Sequence, residues 1–297
     1  MCGATGGHGA RASTMDWVTV SDERLLHRTH DSAIMYQDVA GARRAPGGGA
    51  SSMPDIIAGR QPVLEALRAE RPINRLLVSQ DSGRHSILAE ILHLAQSQRI
   101  PVDFVSRLAM DQACGAVAHQ GVLAYAGSKA YVTLDDLLAI SRDRKEQPLY
   151  CLLDGIEDPQ NLGAILRTSN AAGVHGVVVR SRRAVGLTAA VSRASAGAVE
   201  YVPVARVSNI AYSIEALQRQ SVWVVGIDGR GDRVYTEIDY MAPTAIVIGG
   251  EGEGVSDLVR RKCDMVARIP MRGDIGSLNA SVAAALVLYE AYRQRGW

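Results

Sequence analysis

From Leu149 onward, short apolar runs alternate with amphipathic stretches. "LYCLL", "GVVV", "YVPVA", "VWVVGI", "TAIVIGG" and "MVARIP" read as strands. "NLGAILRTSNAAG", the segment around "TAAVSRASAGA", "NIAYSIEALQRQ", the short "SDLVRR" and the closing "SVAAALVLYEAYRQRGW" read as helices. Apolar strands bounded by turns and separated by helices predict an α/β fold, a mostly parallel sheet covered by helices on both faces. In such sheets ligands bind beyond the carboxyl ends of the strands.

Upstream, a smaller unit runs from Asp55 to about Lys129. It contains helix "GRQPVLEALRAE", strand "INRLLVS", helix "HSILAEILHLAQSQ", and strands "VDFV" and "GVLAYAG". This alternation predicts a compact α/β domain over residues 54–130. Residues 131–147 read as a connection built on one helix, with Thr133 as its N-cap and a charged end before Pro148. A second domain follows over 148–297. Residues 1–53 lack sustained periodicity and end in "GARRAPGGGASSMP", the composition of a flexible arm, with Met15 and Met53 as alternative starts.

Composition narrows the function classes. The chain has 297 residues, 47% of them hydrophobic, enough to bury more than one core. No apolar run reaches membrane-spanning length and no apolar block marks a secretory leader, so the expectation is a soluble cytoplasmic protein with no membrane partner. The four cysteines, Cys2, Cys114, Cys151 and Cys263, are far apart and read as reduced and structural. His27 and His30 form one close pair, too little for a metal site, and none is expected. A net charge of +1 leaves nucleic acid open, because binding depends on where cations cluster. One cluster, Arg180, Arg182 and Arg183, follows an apolar strand and either meets phosphates or forms a solvated loop.

Three loops beyond strands hold the candidate chemistry: "DGIEDPQNLGA", "GGEGEGVS" and "MRGDIGSLNAS". The second has the glycine spacing of a phosphate-binding loop from Gly249 to Gly254, but Val255 stands where that loop needs lysine, and Glu251 and Glu253 would repel a triphosphate. No GxGxxG opens the first helix of the sheet, which argues against a dinucleotide cofactor.

"NLGAILRTSNAAGVHGVVV", "IGGEGEGVSDLV" and "IPMRGDIGSLNASVAAALVLYE", in this order and at these intervals, closely resemble the three motifs of the SpoU-type RNA ribose 2′-O-methyltransferases of the SPOUT superfamily. "IIAGRQPVLEAL" and "AHQGVLA" resemble the ribosomal-protein-like RNA-binding domain of the branch that modifies a guanosine of 23S ribosomal RNA. The resemblance implies a deep trefoil knot in the C-terminal domain, S-adenosylmethionine as cofactor, and a homodimer paired through the knotted region. It places Gly249, Ile269 and Leu278 at the cofactor, largely through backbone groups, with Met271 nearby. It also implies Asn161 and Arg167 in the first motif, Glu251 in the second, and Ser277 and Asn279 in the third as the catalytic set. The alternatives are a transfer-RNA ribose methyltransferase and a non-catalytic RNA-binding assembly factor.

The chemistry can be weighed separately. Methyl transfer from a sulfonium to a hydroxyl needs in-line alignment and a route for the hydroxyl proton, and no metal. Asn161, at the start of its helix, is expected to turn inward as a cap, with Arg167 projecting from the helix body. A guanidinium holds its proton too tightly to be an easy base, so Arg167 is read as a clamp for phosphate and developing alkoxide, and the base stays open. Glu251 is read as an orienting partner for a nearby arginine. Ser277 and Asn279, at a helix mouth rich in free N–H groups, either cap the helix or bind a ligand, and the preceding "IPMRG" favours a shared role at the methyl-transfer site.

Overall fold

The computed structural model describes residues 55–296 apart from 84, 116, 251, 253 and 275. The arm over 1–53, with Cys2, His27 and His30, lies outside the described residues, as does Glu251. No described helix is long and apolar enough to cross a membrane.

Strands β1 (Asp55–Ala58), β2 (Ile73–Ser79), β3 (Val102–Val105) and β4 (Val122–Ala126) form one sheet in the order β1-β4-β2-β3. Only the β2–β3 pair is parallel. Helix α1 (Arg60–Arg68) buries Val63, Leu64, Ala66 and Leu67, the stripe its periodicity demands, and α2 (Ser86–Ser97) buries Leu88, Ile91 and Ala95. Two elements were not anticipated. β1 offers only "DIIA", too short to show a period, and α3 (Arg107–Cys114) buries a single residue, Met110. The structural cue for α3 is its cap, where the Ser106 hydroxyl accepts from the Ala109 N–H.

Helix α4 (Leu134–Arg144) occupies the stretch read as a connection. Thr133 caps it in a reciprocal capping box with Asp136, and Leu137 is wholly buried under the second sheet. That sheet contains β5 (Leu149–Asp154), β6 (Gly176–Arg180), β7 (Val204–Val207), β8 (Trp223–Ile227), β9 (Arg233–Val234), β10 (Thr244–Gly249) and β11 (Met265–Arg268). Their order is β7-β6-β5-β10-β8-β11-β9 and every pair is parallel. The run "YVPVA" over 201–205 yields a strand only from Val204, directly after Pro203, and a turn of 3-10 helix over 198–200 precedes it.

Strand alternation divides the core. Leu149, Cys151 and Leu153 of β5 pack with helices α5 (Pro159–Ala171) and α9 (Ala280–Arg295), while Tyr150 and Leu152 face α4 and α7 (Ile210–Gln218). Burying each such aliphatic side chain contributes about 1.5–3 kcal/mol relative to exposure. Arg295, at the end of α9, donates to the carbonyls of Gln147, Pro148, Tyr240 and Ala242, fixing the last helix across the entry of β5. After β7 the chain crosses back to the far side of β10, so the sheet reverses its order beside β5. The loops after β5, β8, β10 and β11 gather at that reversal, where a ligand crevice belongs.

Candidate active site

A cavity of about 700 Å3 opens at the carboxyl ends of β8, β10 and β11. Its wall includes Gly249, Ile269, Met271, Ser277, Leu278 and Asn279, so the structure brings together all four residues expected at the cofactor and two of the expected catalytic set. The volume lies within the range of small-molecule sites.

Gly249 ends β10, and the loop after it folds back, with an isolated bridge pairing Gly250 and Gly254. An ideal Cβ on Gly249 would lie 2.0 Å from the Gly254 carbonyl carbon and 2.3 Å from the Val255 nitrogen, a distance no side chain tolerates. Glycine at this position is therefore set by backbone apposition. Val255, where a phosphate loop would carry lysine, is wholly buried in the core. Both ends of the loop are tied to β5, since the Gly250 N–H donates to the Asp154 carbonyl at 2.9 Å and the Ser256 N–H to the Asp154 Oδ2 at 3.0 Å.

On the other side stand Asp228 and Arg230, also in the cavity wall. Arg230 grips Asp228 through Nε (2.7 Å) and Nη2 (2.9 Å), and its own N–H donates to the Oδ1 at 3.0 Å. Hydrogen bonding from Arg230 holds the Asp228 carboxyl down at about 2. Arg230 Nη2 also reaches the Val255 carbonyl at 3.3 Å, so the pair braces the glycine loop.

The first and third motifs meet through their amides. Asn279 is the N-cap of α9, its Oδ1 accepting from the N–H groups of Ser281 (2.9 Å) and Val282 (3.4 Å). With that oxygen turned to the helix, the amide nitrogen points away and donates to the Asn161 Oδ1 at 2.9 Å. Asn161 is buried but does not cap α5. Asp158 does, accepting from the N–H groups of Gln160 and Asn161, with Pro159 opening the helix. The expectation of an Asn161 cap fails because an Asp-Pro pair two residues upstream is the stronger start signal.

Arg167 lies exposed on α5 and is not among the residues lining the cavity. Arg180 is the last residue of β6, half-buried, with Nη1 3.6 Å from the Asp154 Oδ1, whereas Arg182 and Arg183 are exposed in the turn beyond. Sequence reasoning passed over Asp154, Asp228 and Arg230. The available signal was a single acid directly after an apolar run, in "LYCLLD" and "VWVVGID". Cys151 and Cys263 are free thiols, each pushed up to about 12 by burial, and take no part in the site.

Residues 148–289 match the model of the SpoU rRNA methylase family, and residues 56–132 match the model of the RNA 2′-O ribose methyltransferase substrate-binding domain. YacO, a putative TrmH-family tRNA/rRNA methyltransferase of Bacillus subtilis, is 42% identical over 245 residues, which span 82% of this chain and 98% of that protein. A putative TrmH-family tRNA/rRNA methyltransferase of Staphylococcus saprophyticus is 43% identical over 242 residues, 82% of this chain and 96% of that one. Among solved structures, the SpoU methyltransferase AviRb of Streptomyces viridochromogenes in complex with AdoMet superposes with a TM-score of 0.68 at 30% identity, covering 81% of this chain and 89% of that one. An AdoMet-bound rRNA methyltransferase of Sinorhizobium meliloti gives a TM-score of 0.66 at 26% identity, covering 81% and 87%.

Proposed function

The chain belongs to the SpoU family of S-adenosylmethionine-dependent RNA methyltransferases, and from that premise we propose that it methylates a ribose 2′-hydroxyl, that of a guanosine in 23S ribosomal RNA, in the cytoplasm. The observation that carries the finer reading is the substrate-binding match over residues 56–132 joined to the methylase domain. That extra RNA-binding domain favours ribosomal over transfer RNA, and the polar groups kept in the first and third motifs disfavour a non-catalytic assembly factor.

The residues present fit the cofactor. Glycine-rich backbone, the apolar Ile269 and Leu278, and the polar Asp228 and Asn279 wall a cavity suited to a nucleoside joined to an amino acid. Bound there, S-adenosylmethionine supplies an electrophilic methyl group on a sulfonium. Gly249, Ile269 and Leu278 hold it through backbone groups with Met271 alongside, and the same family reading threads this C-terminal region as a trefoil knot. Asn279, oriented by Asn161, and Ser277 at the rim align the ribose hydroxyl. Arg167 clamps the adjoining phosphate and the developing alkoxide, and Glu251 orients an arginine.

A homodimer completes this reading. Helix α9 buries Ala284, Val287, Leu288 and Ala291, yet also exposes Val282 (47%), Leu286 (39%) and Tyr289 (42%) at helical spacing. A second copy covering this stripe would let Arg167 of one chain serve the cavity of the other. Mixing Arg167→Ala with Asn279→Ala subunits would then restore activity. Mapping ribose methylation on total RNA with and without the gene tests the function itself. Loss of one 2′-O-methylguanosine from 23S ribosomal RNA is the expected result, and loss from transfer RNA alone, or from a base, would overturn it.

A further inference from the structure

Glu200 ends a one-turn helix after α6 (Ala189–Ala194), and its side chain is 0% exposed. Glutamate is almost never buried to this degree unless paired. Its partners come from the other domain. Arg71 Nη1 donates to the Glu200 Oε1 at 2.7 Å, and Lys129 Nζ donates to the Glu200 carbonyl at 2.8 Å while lying 3.7 Å from Oε2.

Arg71 is itself only 8% exposed, and its remaining donors are spent within its own domain, on the Gly127 carbonyl (3.1 and 2.8 Å) and the Asp55 Oδ2 (3.1 Å). The Lys129 N–H donates to that same Asp55 oxygen at 3.3 Å. Arg71, from the turn after α1, and Lys129, from the segment after β4, therefore converge on Glu200 of the methyltransferase domain, while Asp55 of β1 accepts from both and fixes them within their own domain. Beside this node, the Tyr201 hydroxyl donates to the Glu65 Oε2 at 2.6 Å, and an ideal Cβ on Gly197 would lie 2.6 Å from the Glu65 Cβ, so the two domains approach backbone to side chain.

A buried ionic node of this kind adds little net adhesion, because desolvating its charges offsets their attraction. What it adds is direction. The guanidinium fork is planar and its donors are fixed, so Arg71 holds Glu200 and Gly127 at one angle, which an apolar contact able to slide would not do.

We infer that Glu200 is a positioning residue that locks the RNA-binding domain at one orientation to the methyl-transfer cavity, and so determines which nucleotide of a bound RNA reaches that cavity. This rests on the reading of residues 54–130 as the domain that holds the RNA. The cofactor cavity draws nothing from the node, since its walls come wholly from residues 227–283.

The test uses the full chain and its Glu200→Gln variant, with total ribosomal RNA and total transfer RNA as separate substrates. S-adenosylmethionine affinity should be unchanged, whereas kcat/KM for the RNA that the wild-type chain methylates should fall by about 10–100-fold, and methylation should spread to neighbouring nucleotides. Hydrogen exchange should accelerate at residues 55–58, 127–132 and 198–203 and stay as in the wild type at 244–249. If Glu200→Gln fails to fold, Lys129→Ala, which removes one arm and leaves the Arg71 bond, should give a smaller change of the same pattern. Wild-type rate and site choice in a folded variant would overturn the inference, and so would equal loss of cofactor and RNA activity. Failure of the wild-type chain to methylate either RNA would instead sink the proposed function.

Discussion

Replacing Gly249 by alanine probes whether the cofactor cavity is shaped by one backbone apposition. The added Cβ would lie 2.0 Å from the Gly254 carbonyl carbon and 2.2 Å from its oxygen. Carbon atoms in contact sit about 3.5–4.0 Å apart, so the loop must retreat by roughly 1.5 Å. No flexible side chain can absorb that shift, because the obstructing atoms are backbone. Retreat opens the Gly250–Gly254 bridge, with its 3.2 Å hydrogen bond, and strains the Ser256 bond to Asp154. Overpacking costs about 1–3 kcal/mol and a lost hydrogen bond about 1 kcal/mol. If about 2–4 kcal/mol falls on cofactor binding, affinity drops roughly thirty- to several-hundred-fold. Calorimetric titration with S-adenosylmethionine reads this directly, and two alanine variants calibrate it. Gly252 has φ +88° with open space around the missing Cβ, so Gly252→Ala carries only backbone strain of about 1–2 kcal/mol. Gly273 has neither clash nor positive φ, and Gly273→Ala should bind as the wild type does. Wild-type affinity in Gly249→Ala would refute the apposition argument, and equal losses in all three would point to loop mobility instead of packing.

Asn279→Asp should keep the α9 cap but lose the donation to Asn161, with about 1 kcal/mol of stability and most of the turnover, whereas Asn279→Ala should lose the cap as well, about a further 1 kcal/mol; activity and melting curves on both variants separate the two roles. The Asp228 carboxyl, held down at about 2 by Arg230, contributes stability that is complete above the ordinary carboxyl range near 4 and is lost as pH falls through about 2. Thermal melts of wild type and Asp228→Asn should therefore differ most above pH 4 and converge near pH 2, and a gap that is constant with pH would contradict this. If two copies pair through the exposed stripe of α9 as proposed, Leu286→Glu should shift sedimentation toward monomer without unfolding the chain, and sedimentation identical to the wild type would contradict that pairing. Arg167→Ala should leave cofactor affinity intact and cut turnover, and Arg167→Lys should also be poor because a point charge does not replace the planar fork.

The strands and their loops were legible because a parallel sheet buried on both faces writes itself as continuous apolar runs, and each of the three informative loops begins where such a run ends. What lacked a run was missed. β9 is two residues long, β1 only four, and α3 buries one. The acids Asp154 and Asp228 escaped for a different reason. One carboxylate after a strand has many uses, and only the fold shows Asp154 meeting the N–H of Ser256, 102 positions later, and Asp228 clasped by Arg230.

The third motif shows how far residue type alone can carry. Ser, Thr, Asp or Asn would each cap α9, so capping explains why position 279 is a short polar residue and leaves the choice among them open. The structure narrows that choice. The cap consumes the Oδ1, and the contact with Asn161, 118 positions away, needs a donor from the same side chain. Only asparagine offers an acceptor and a donor on one rigid amide, since aspartate lacks the donor and the serine hydroxyl is too short to face both ways. The identity of residue 279 therefore follows from joining two motifs at the mouth of the cavity, and a helix end considered by itself could not have specified it.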